Sequence, residues 1–375
     1  MKVAIIHEWL ESVAGSERVL EQMLLCYPEA DLFALVDFLP ADQRGILHGR
    51  VPRTSFLQRL PFARRWFRHY AMLLPMAVEQ WDLSGYDLVL SNSHAFAKGV
   101  LTGPDTRHVS YVHSPMRYAW DLQHQYLRES GLDRGLRGIA ARWLLSRLRL
   151  WDRGTANGVD LFLTNSHYVA RRIQKAYRRD AVVIPPPVDI ETFTPGGEKQ
   201  GFYLVASRHV AYKRIDLVAA AFAAMPERQL VIVGDGPAHG RVRAAARGAP
   251  NITFRPAVPQ AELVALMRAA RAFVFAGEED FGIVLAEALA CGTPVIAFGR
   301  GGAAEIVAEG VGVLFAEQSA AAIADAVGRF EESTVTAAVC RAAADRFGPS
   351  RFRDCLVSAI ATLGINEHRR RGVGG

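Results

Sequence analysis

Short, mostly apolar runs recur along the whole chain, most of them followed by a helical stretch. They constrain the fold more than any other feature. They lie at residues 2–6, 31–36, 87–92, 108–113, 160–166, 182–184, 202–206, 230–233, 251–254, 271–275, 294–298 and 313–315. Runs that do not alternate with polar residues suit strands buried on both faces. Strands separated by helices suit a parallel sheet with helices on either side. The class read from this pattern is α/β. In such folds ligands bind beyond the carboxyl ends of the strands. His94 and His113 both fall at or just past strand ends. The first strand is expected at 2–6, with 7–16 as a loop and 17–25 as a helix.

A chain of 375 residues can bury two cores. Pro185-Pro186-Pro187 cannot continue a central strand and reads as a stiff crossing between domains. The expected division is 1–188 and 200–349, a helix near 350–364 and a flexible tail at 365–375. There is no run of about 18 uncharged apolar residues, so no transmembrane helix is expected. The first residues read as a core strand rather than a signal peptide. Cys26, Cys291, Cys340 and Cys355 lie far apart, as suits reduced thiols in the cytoplasm, and no metal-ligand spacing occurs. The net charge of +6 comes mostly from arginine and points to an anionic partner.

The most informative stretch runs from Arg271 to Phe298. A buried-strand pattern ends at Phe275, Glu279-Asp280-Phe281-Gly282 makes a turn, and Ile283 to Ala290 is helical. Gly292 stands where a helix-ending glycine belongs. Free N–H groups at the helix start favour an anion such as a diphosphate. Glu279 lies just before the helix and Glu287 eight residues on, about two turns into it. A carboxylate ahead of the helix can take hydrogen bonds from sugar hydroxyls, and one two turns in can grip a ribose diol. An ordinary βα unit with two solvated glutamates fits the spacing equally well.

The residues E-E-D-F-G-I…E-A-L-A-C-G-T-P-V-I-A resemble the donor motif of retaining glycosyltransferases of family 4, which have the GT-B fold. The resemblance spans nearly the whole chain. It includes His113-Ser114-Pro115, continuing into M-R-Y-A-W-D as in a subgroup typified by O-antigen mannosyltransferases, and the pair Arg208 and Lys213 in the loop after the 202–206 strand. It implies two Rossmann-like domains facing across a cleft, the last helices crossing back to the first. It also implies a nucleotide-sugar donor held by the second domain and an acceptor held by the first. By the same resemblance His113 and Glu279 are the catalytic candidates. Arg208, Lys213, Phe281, Gly282, Ile283, Glu287 and Gly15 are the donor-binding ones, and Ser16, Arg117 and Tyr118 line the acceptor side. Where the family carries a second glycine this chain has Ser16, whose Cβ limits backbone approach to a ligand. No Asp-X-Asp occurs, so no metal clamp on a diphosphate is evident and no metal or other cofactor is expected. The motif versions look like those of GDP-mannose-dependent enzymes, which points to mannose transfer onto a lipid-linked saccharide in cell-surface polysaccharide synthesis. A UDP-sugar donor, a non-catalytic sugar-nucleotide-binding protein and a dinucleotide oxidoreductase are the alternatives; the last lacks a G-x-G-x-x-G after a strand with an acid about 20 residues on.

Two basic stretches remain. Between Arg53 and Val78, Arg59, Arg64, Arg65 and Arg68 interleave with Phe56, Leu57, Phe62, Trp66 and Phe67, without an acid. Arginines beside an aromatic face mark an interfacial helix, but a core-packed face with solvated arginines accounts for the stretch equally well. The first reading gives peripheral attachment to the inner, anionic face of a membrane, and no nucleic acid. For 135–153, with five arginines among Leu136, Ile139, Trp143, Leu144, Leu145, Leu148 and Leu150, packing of the apolar face on the core is expected.

Overall fold

The structure is a computed structural model that describes residues 1–364; the expected tail at 365–375 lies outside the described residues. The chain forms two compact units. One comprises Met1–Pro186 and the chain from Phe352 on, and the other Pro187–Arg351.

The first unit holds seven parallel strands: β1 (Val3–Leu10), β2 (Asp31–Asp37), β3 (Arg53–Thr54), β4 (Leu88–Ser93), β5 (Arg107–Val112), β6 (Leu161–Thr164) and β7 (Ala181–Val183), in the order β3-β2-β1-β4-β5-β6-β7. The order reverses between β1 and β4, and this switch point opens a crevice at their carboxyl ends. Alternate residues of each strand feed two cores. Val3, Ile5, Leu32, Leu88 and Val109 pack with the Gly15–Cys26 helix and with Phe352, Leu356 and Ile360. Ala4, Ile6, Phe33, Leu35 and Val89 pack with residues from 57–78 and with Leu148.

The second unit has six parallel strands: β8 (Phe202–Ala206), β9 (Gln229–Val233), β10 (Ile252–Arg255), β11 (Ala272–Phe275), β12 (Val295–Phe298) and β13 (Gly312–Phe315), ordered β10-β9-β8-β11-β12-β13. Its switch point lies between β8 and β11. The Ile283–Ala290 helix ends as its glycine predicts. Gly292 has φ +70°, its N–H bonds to Leu289, and the N–H of Thr293 bonds to Ala288, which satisfies carbonyls left open by the last turn.

Three expectations change. β1 continues to Leu10, so His7 and Glu8 are buried strand residues and not loop. The 53–78 stretch is a series of short turns, Phe56–Arg59, Ala63–Trp66, Phe67–His69 and Leu74–Glu79, because its apolar residues do not share one helical face. Leu57, Phe67, Leu74, Ala77 and Val78 go inward, while Phe62, Trp66, Met72 and Met76 stand out. The Gly135–Thr155 helix does not bury its apolar residues as expected. Leu148 is buried and Leu144 and Leu145 half-buried, but Leu136, Ile139, Trp143 and Leu150 are exposed. No helix among the described residues is long and apolar enough to cross a membrane.

Candidate functional site

In the second unit, β8 leads into the loop that carries Arg208 and Lys213, and β11 leads into the loop that carries Glu279. The switch point therefore brings these two loops together. Lys213 Nζ and Glu279 Oε1 form an ion pair, with both side chains mostly shielded from water. The ammonium also lies 5.4 Å from the Phe275 ring centroid. A Cβ on Gly277 would come within 3.1 Å of Lys213 Cα, so glycine lets the two backbones approach closely without pushing each other back. Arg208 is exposed and forms no ion pair among the described residues. The loop thus presents one unpaired cation, and a second held by a carboxylate.

Gly282 has φ +92° and caps the helix that begins at Ile283. Phe281 is buried edge-on against Phe347 at 5.5 Å, which anchors the turn before it. The turn is also clamped from the next strand. Gly302 N donates to Glu279 O at 2.8 Å, and a Cβ on Gly301 would fall 2.2 Å from that oxygen. Leu285, Ala286, Ala288 and Leu289 are buried, while Ile283, Val284 and Glu287 are half-buried, with Ile283 and Glu287 one turn apart on one side of the helix. The glycines of Gly234-Asp235-Gly236 serve the loop itself. Cβ atoms there would lie 2.1 Å from Ser207 O and 2.4 Å from His209 O.

His209, Asp235 and His239 offer ligand atoms within 4.8 Å of one another. Their hydrogen bonds argue against an open cation cradle. Arg243 Nε donates to His239 Nε2 at 2.9 Å, so His239 carries its proton on Nδ1 and donates it to His209 Nδ1 at 3.0 Å. An ion on both Nδ1 atoms would set an imidazole N–H against the arginine N–H, whereas metal-bound histidines turn that N–H to an acceptor.

The crevice of the first unit is a hydrogen-bonded chain. His113, half-buried just past β5, approaches Asn92 Oδ1 with Nε2 at 2.6 Å; an amide oxygen only accepts, so the ring proton sits on Nε2 and leaves Nδ1 as an acceptor. Asn92 Nδ2 donates to His7 Nδ1 at 3.1 Å and to Ser16 O at 2.7 Å, and His7 Nε2 donates to Glu17 Oε1 at 3.2 Å. Burial pushes His113 down to about 3, helped by the neighbouring His94. Burial raises the Glu17 carboxyl, but hydrogen bonds from His7 and Ser16 outweigh it and hold it at about 2. Beside this chain, Glu8 is fully buried. Its Oε1 accepts N–H groups of His94 at 2.9 Å, Phe96 at 2.6 Å and Ala97 at 3.2 Å, and that of Ala95; its Oε2 lies 3.1 Å from His94 Nε2.

Gly15 and Ser16 open the helix after β1, and Ser16 Oγ donates to Glu17 at 2.9 Å. Arg117 and Tyr118 are half-buried; Arg117 Nε donates to Ser114 Oγ at 3.3 Å, and Tyr118 packs edge-on against Tyr126 at 6.3 Å. Sequence reasoning missed His7, Glu8, Glu17 and Asn92. The available signal was a His-Glu pair directly after an apolar run, and polar Ser91-Asn92-Ser93 closing another.

Comparison with known proteins agrees with the two-unit architecture. Residues 15–192 match the family described as Glycosyltransferase Family 4, and residues 189–347 that described as Glycosyl transferases group 1. The chain is 28% identical over 260 residues to a D-inositol 3-phosphate glycosyltransferase of Mycolicibacterium vanbaalenii, covering 60% of this chain and 57% of that protein. It is 35% identical over 176 residues to that of Frankia alni, covering 39% and 43%. The chain spans about half the length of the curated relatives it matches. Among solved structures, Anabaena HepE in complex with UDP superposes with a TM-score of 0.66 at 18% identity, covering 96% of this chain and all of that one. Sucrose-phosphate synthase of Thermosynechococcus elongatus superposes at 0.64 and 17% identity, over 100% of both chains.

Proposed function

We propose that this chain, which belongs to the family 4 glycosyltransferases of GT-B fold, transfers a sugar from a nucleotide-sugar donor to a hydroxyl acceptor with retention and without a metal ion. One observation carries the reading. An ion-paired lysine and the start of the Ile283–Ala290 helix meet at the switch point of the second unit, and Arg208, on the same β8 loop, stands exposed with no ion pair among the described residues. All three favour a diphosphate.

In this reading the acceptor oxygen forms a bond to the anomeric carbon as the bond from that carbon to the diphosphate breaks. Arg208, Lys213 and the helix N–H groups take up the charge on the leaving oxygen, and that oxygen receives the acceptor's proton on the same face of the sugar. Hydrogen bonds to charged groups contribute roughly 1.5–3 kcal/mol each, and they accelerate the reaction where charge develops. Glu279 orients the donor sugar and holds Lys213 in place. Glu287 grips the ribose. His113, neutral and with Nδ1 open as an acceptor, takes a sugar hydroxyl. Gly15 serves the donor, and Ser16, with Arg117 and Tyr118, serves the acceptor side, Tyr118 mainly through packing.

The donor is GDP-mannose, and the acceptor a lipid-linked saccharide. This choice rests on the E-E-D-F-G-I and H-S-P-M-R-Y-A-W-D versions of the motifs. Thermal shift with GDP-mannose, UDP-glucose, UDP-N-acetylglucosamine and NAD tests the donor, because the tighter ligand stabilises the native state more. Stabilisation by a UDP-sugar alone moves the donor assignment, and by NAD alone ends the transfer reading. Transfer assays with a lipid-linked mannoside and with D-inositol 3-phosphate, the compound in the relatives' name, separate two acceptors. The anomeric configuration of the product, read by NMR, tests retention, and full activity in chelator tests metal independence.

A further inference from the structure

The Gly135–Thr155 helix carries a face that stands exposed among the described residues. At about 100° per residue, Leu136, Ile139, Trp143 and Leu150 fall within about 60° of one another around the helix. Leu148, buried, lies on the far side, so the stripe points directly away from the core. These four residues are 53% to 85% exposed. A stripe of this kind on a folded protein marks a contact surface.

The stripe does not stand alone. Leu144, Leu145 and Trp151 of the helix join Leu57, Phe67, Leu74, Ala77 and Val78 of the 53–78 stretch in one core on one face of the sheet. Trp151 Nε1 donates to Glu79 Oε1 at 2.7 Å, which ties the helix to the end of that stretch. Both segments therefore belong to one covering layer. In that layer the 53–78 stretch exposes Phe62, Trp66, Met72 and Met76.

Charge selects the occupant. Arg59, Arg64 and Arg65 stand exposed on one segment and Arg137, Arg147 and Arg153 on the other. No acid occurs between Arg53 and Val78, and between Gly135 and Thr155 the only one is Asp152, which is buried against Lys98. A surface that offers hydrocarbon side chains ringed by arginines matches a partner with apolar interior and anionic rim. A nucleic acid would use the arginines and leave the leucines wet. A second copy would bring like charges together. We propose that this layer docks on an anionic phospholipid bilayer, with Leu136, Ile139, Trp143 and Leu150 entering the headgroup boundary and the arginines meeting lipid phosphates. The inference needs only the first unit and stands whether or not the transfer reading does.

Co-sedimentation of the full chain with vesicles tests it, using phosphatidylcholine alone and an equimolar mix with phosphatidylglycerol. Binding is expected to the mix and not to phosphatidylcholine alone, and to fall with added salt. One variant carries Leu136→Gln, Ile139→Gln, Trp143→Gln and Leu150→Gln, and another Arg64→Gln, Arg65→Gln, Arg137→Gln and Arg147→Gln. Each should weaken binding about tenfold or more with an unchanged thermal midpoint, since every substituted side chain lies at the outer surface. The proposal is overturned by absent binding at low salt, or by binding indifferent to both variants. It is equally overturned if the chain is a dimer that the glutamine variant dissociates, or if RNA is retained where vesicles are not.

Discussion

The two crevices lie at the same topological position, a switch point between parallel strands, and are built from opposite electrostatic material. That of the first unit is a chain of imidazole and amide groups ending on a buried carboxylate, with its internal donors paired and His113 Nδ1 left as the open acceptor. That of the second holds charge that can be redirected: Arg208 makes no ion pair among the described residues, and Lys213 has only the Glu279 carboxylate to leave. A satisfied network positions hydroxyl groups without attracting ions. A cation with an exchangeable partner attracts a diphosphate at little reorganisation cost. The same fold thus supplies a hydrogen-bonded wall ending on a buried carboxylate in one unit and, in the proposed reading, an anion site in the other.

If the first crevice is rigid because Glu8 ties down the 94–97 turn, Glu8→Ala should produce the largest effect. Several buried N–H groups would lose their acceptor, at roughly 1–3 kcal/mol each when unsatisfied. We expect a loss of about 3 kcal/mol or more in denaturant unfolding, with nucleoside-diphosphate binding little changed in whatever remains folded. A loss below about 1 kcal/mol would mean that the turn holds itself.

In the second crevice, Arg208→Ala and Lys213→Ala should each lower turnover about tenfold or more, at about 1.4 kcal/mol per decade, and weaken GDP binding. Unfolding should move little for Arg208. Turnover that stays at the wild-type level in both variants removes the anion site from the comparison.

A smaller effect separates the two glutamates. Glu287→Ala should weaken GDP itself, whereas Glu279→Ala should leave GDP affinity within a few-fold and damage transfer. Equal loss of GDP affinity would show that both serve the nucleotide.

The smallest effect is a slope with pH. His113, at about 3, and His108, pushed down to about 4 by burial, stay neutral in the fold while their unfolded counterparts gain protons below about 6.5. The unfolded state then binds more protons, so stability falls as pH drops from about 6.5 toward 4. Glu17, held at about 2, adds to the loss only below its ordinary 4.5. His113→Asn should flatten the slope by less than one proton, under about 1.4 kcal/mol per pH unit. An unchanged slope, measured by urea midpoints across that range, would mean that His113 is not held neutral.

Much of this molecule was legible in its residues. Continuous apolar runs forced parallel sheets, because such strands must be covered on both faces. Glu279, Gly282, Glu287 and Gly292 were legible because they lie within one strand–turn–helix, where spacing along the chain fixes spacing in the fold. The ends of β4 and β5 placed His94 and His113 for the same local reason. What the residues alone left open depends on strands distant in sequence. His7 and Glu8 become buried only because β1 runs on between β2 and β4, and their partners come from residues 85 or more positions away in His7–Asn92 and Glu8–Ser93. The Lys213–Glu279 pair is likewise a product of the β8–β11 pairing. The outward stripe on the Gly135–Thr155 helix was also a tertiary decision. Its sequence has apolar residues on two sides of the helix, so periodicity could not say which would be covered; the sheet face was already filled by residues from 57–78, and the helix could bury only the edge it laid on them.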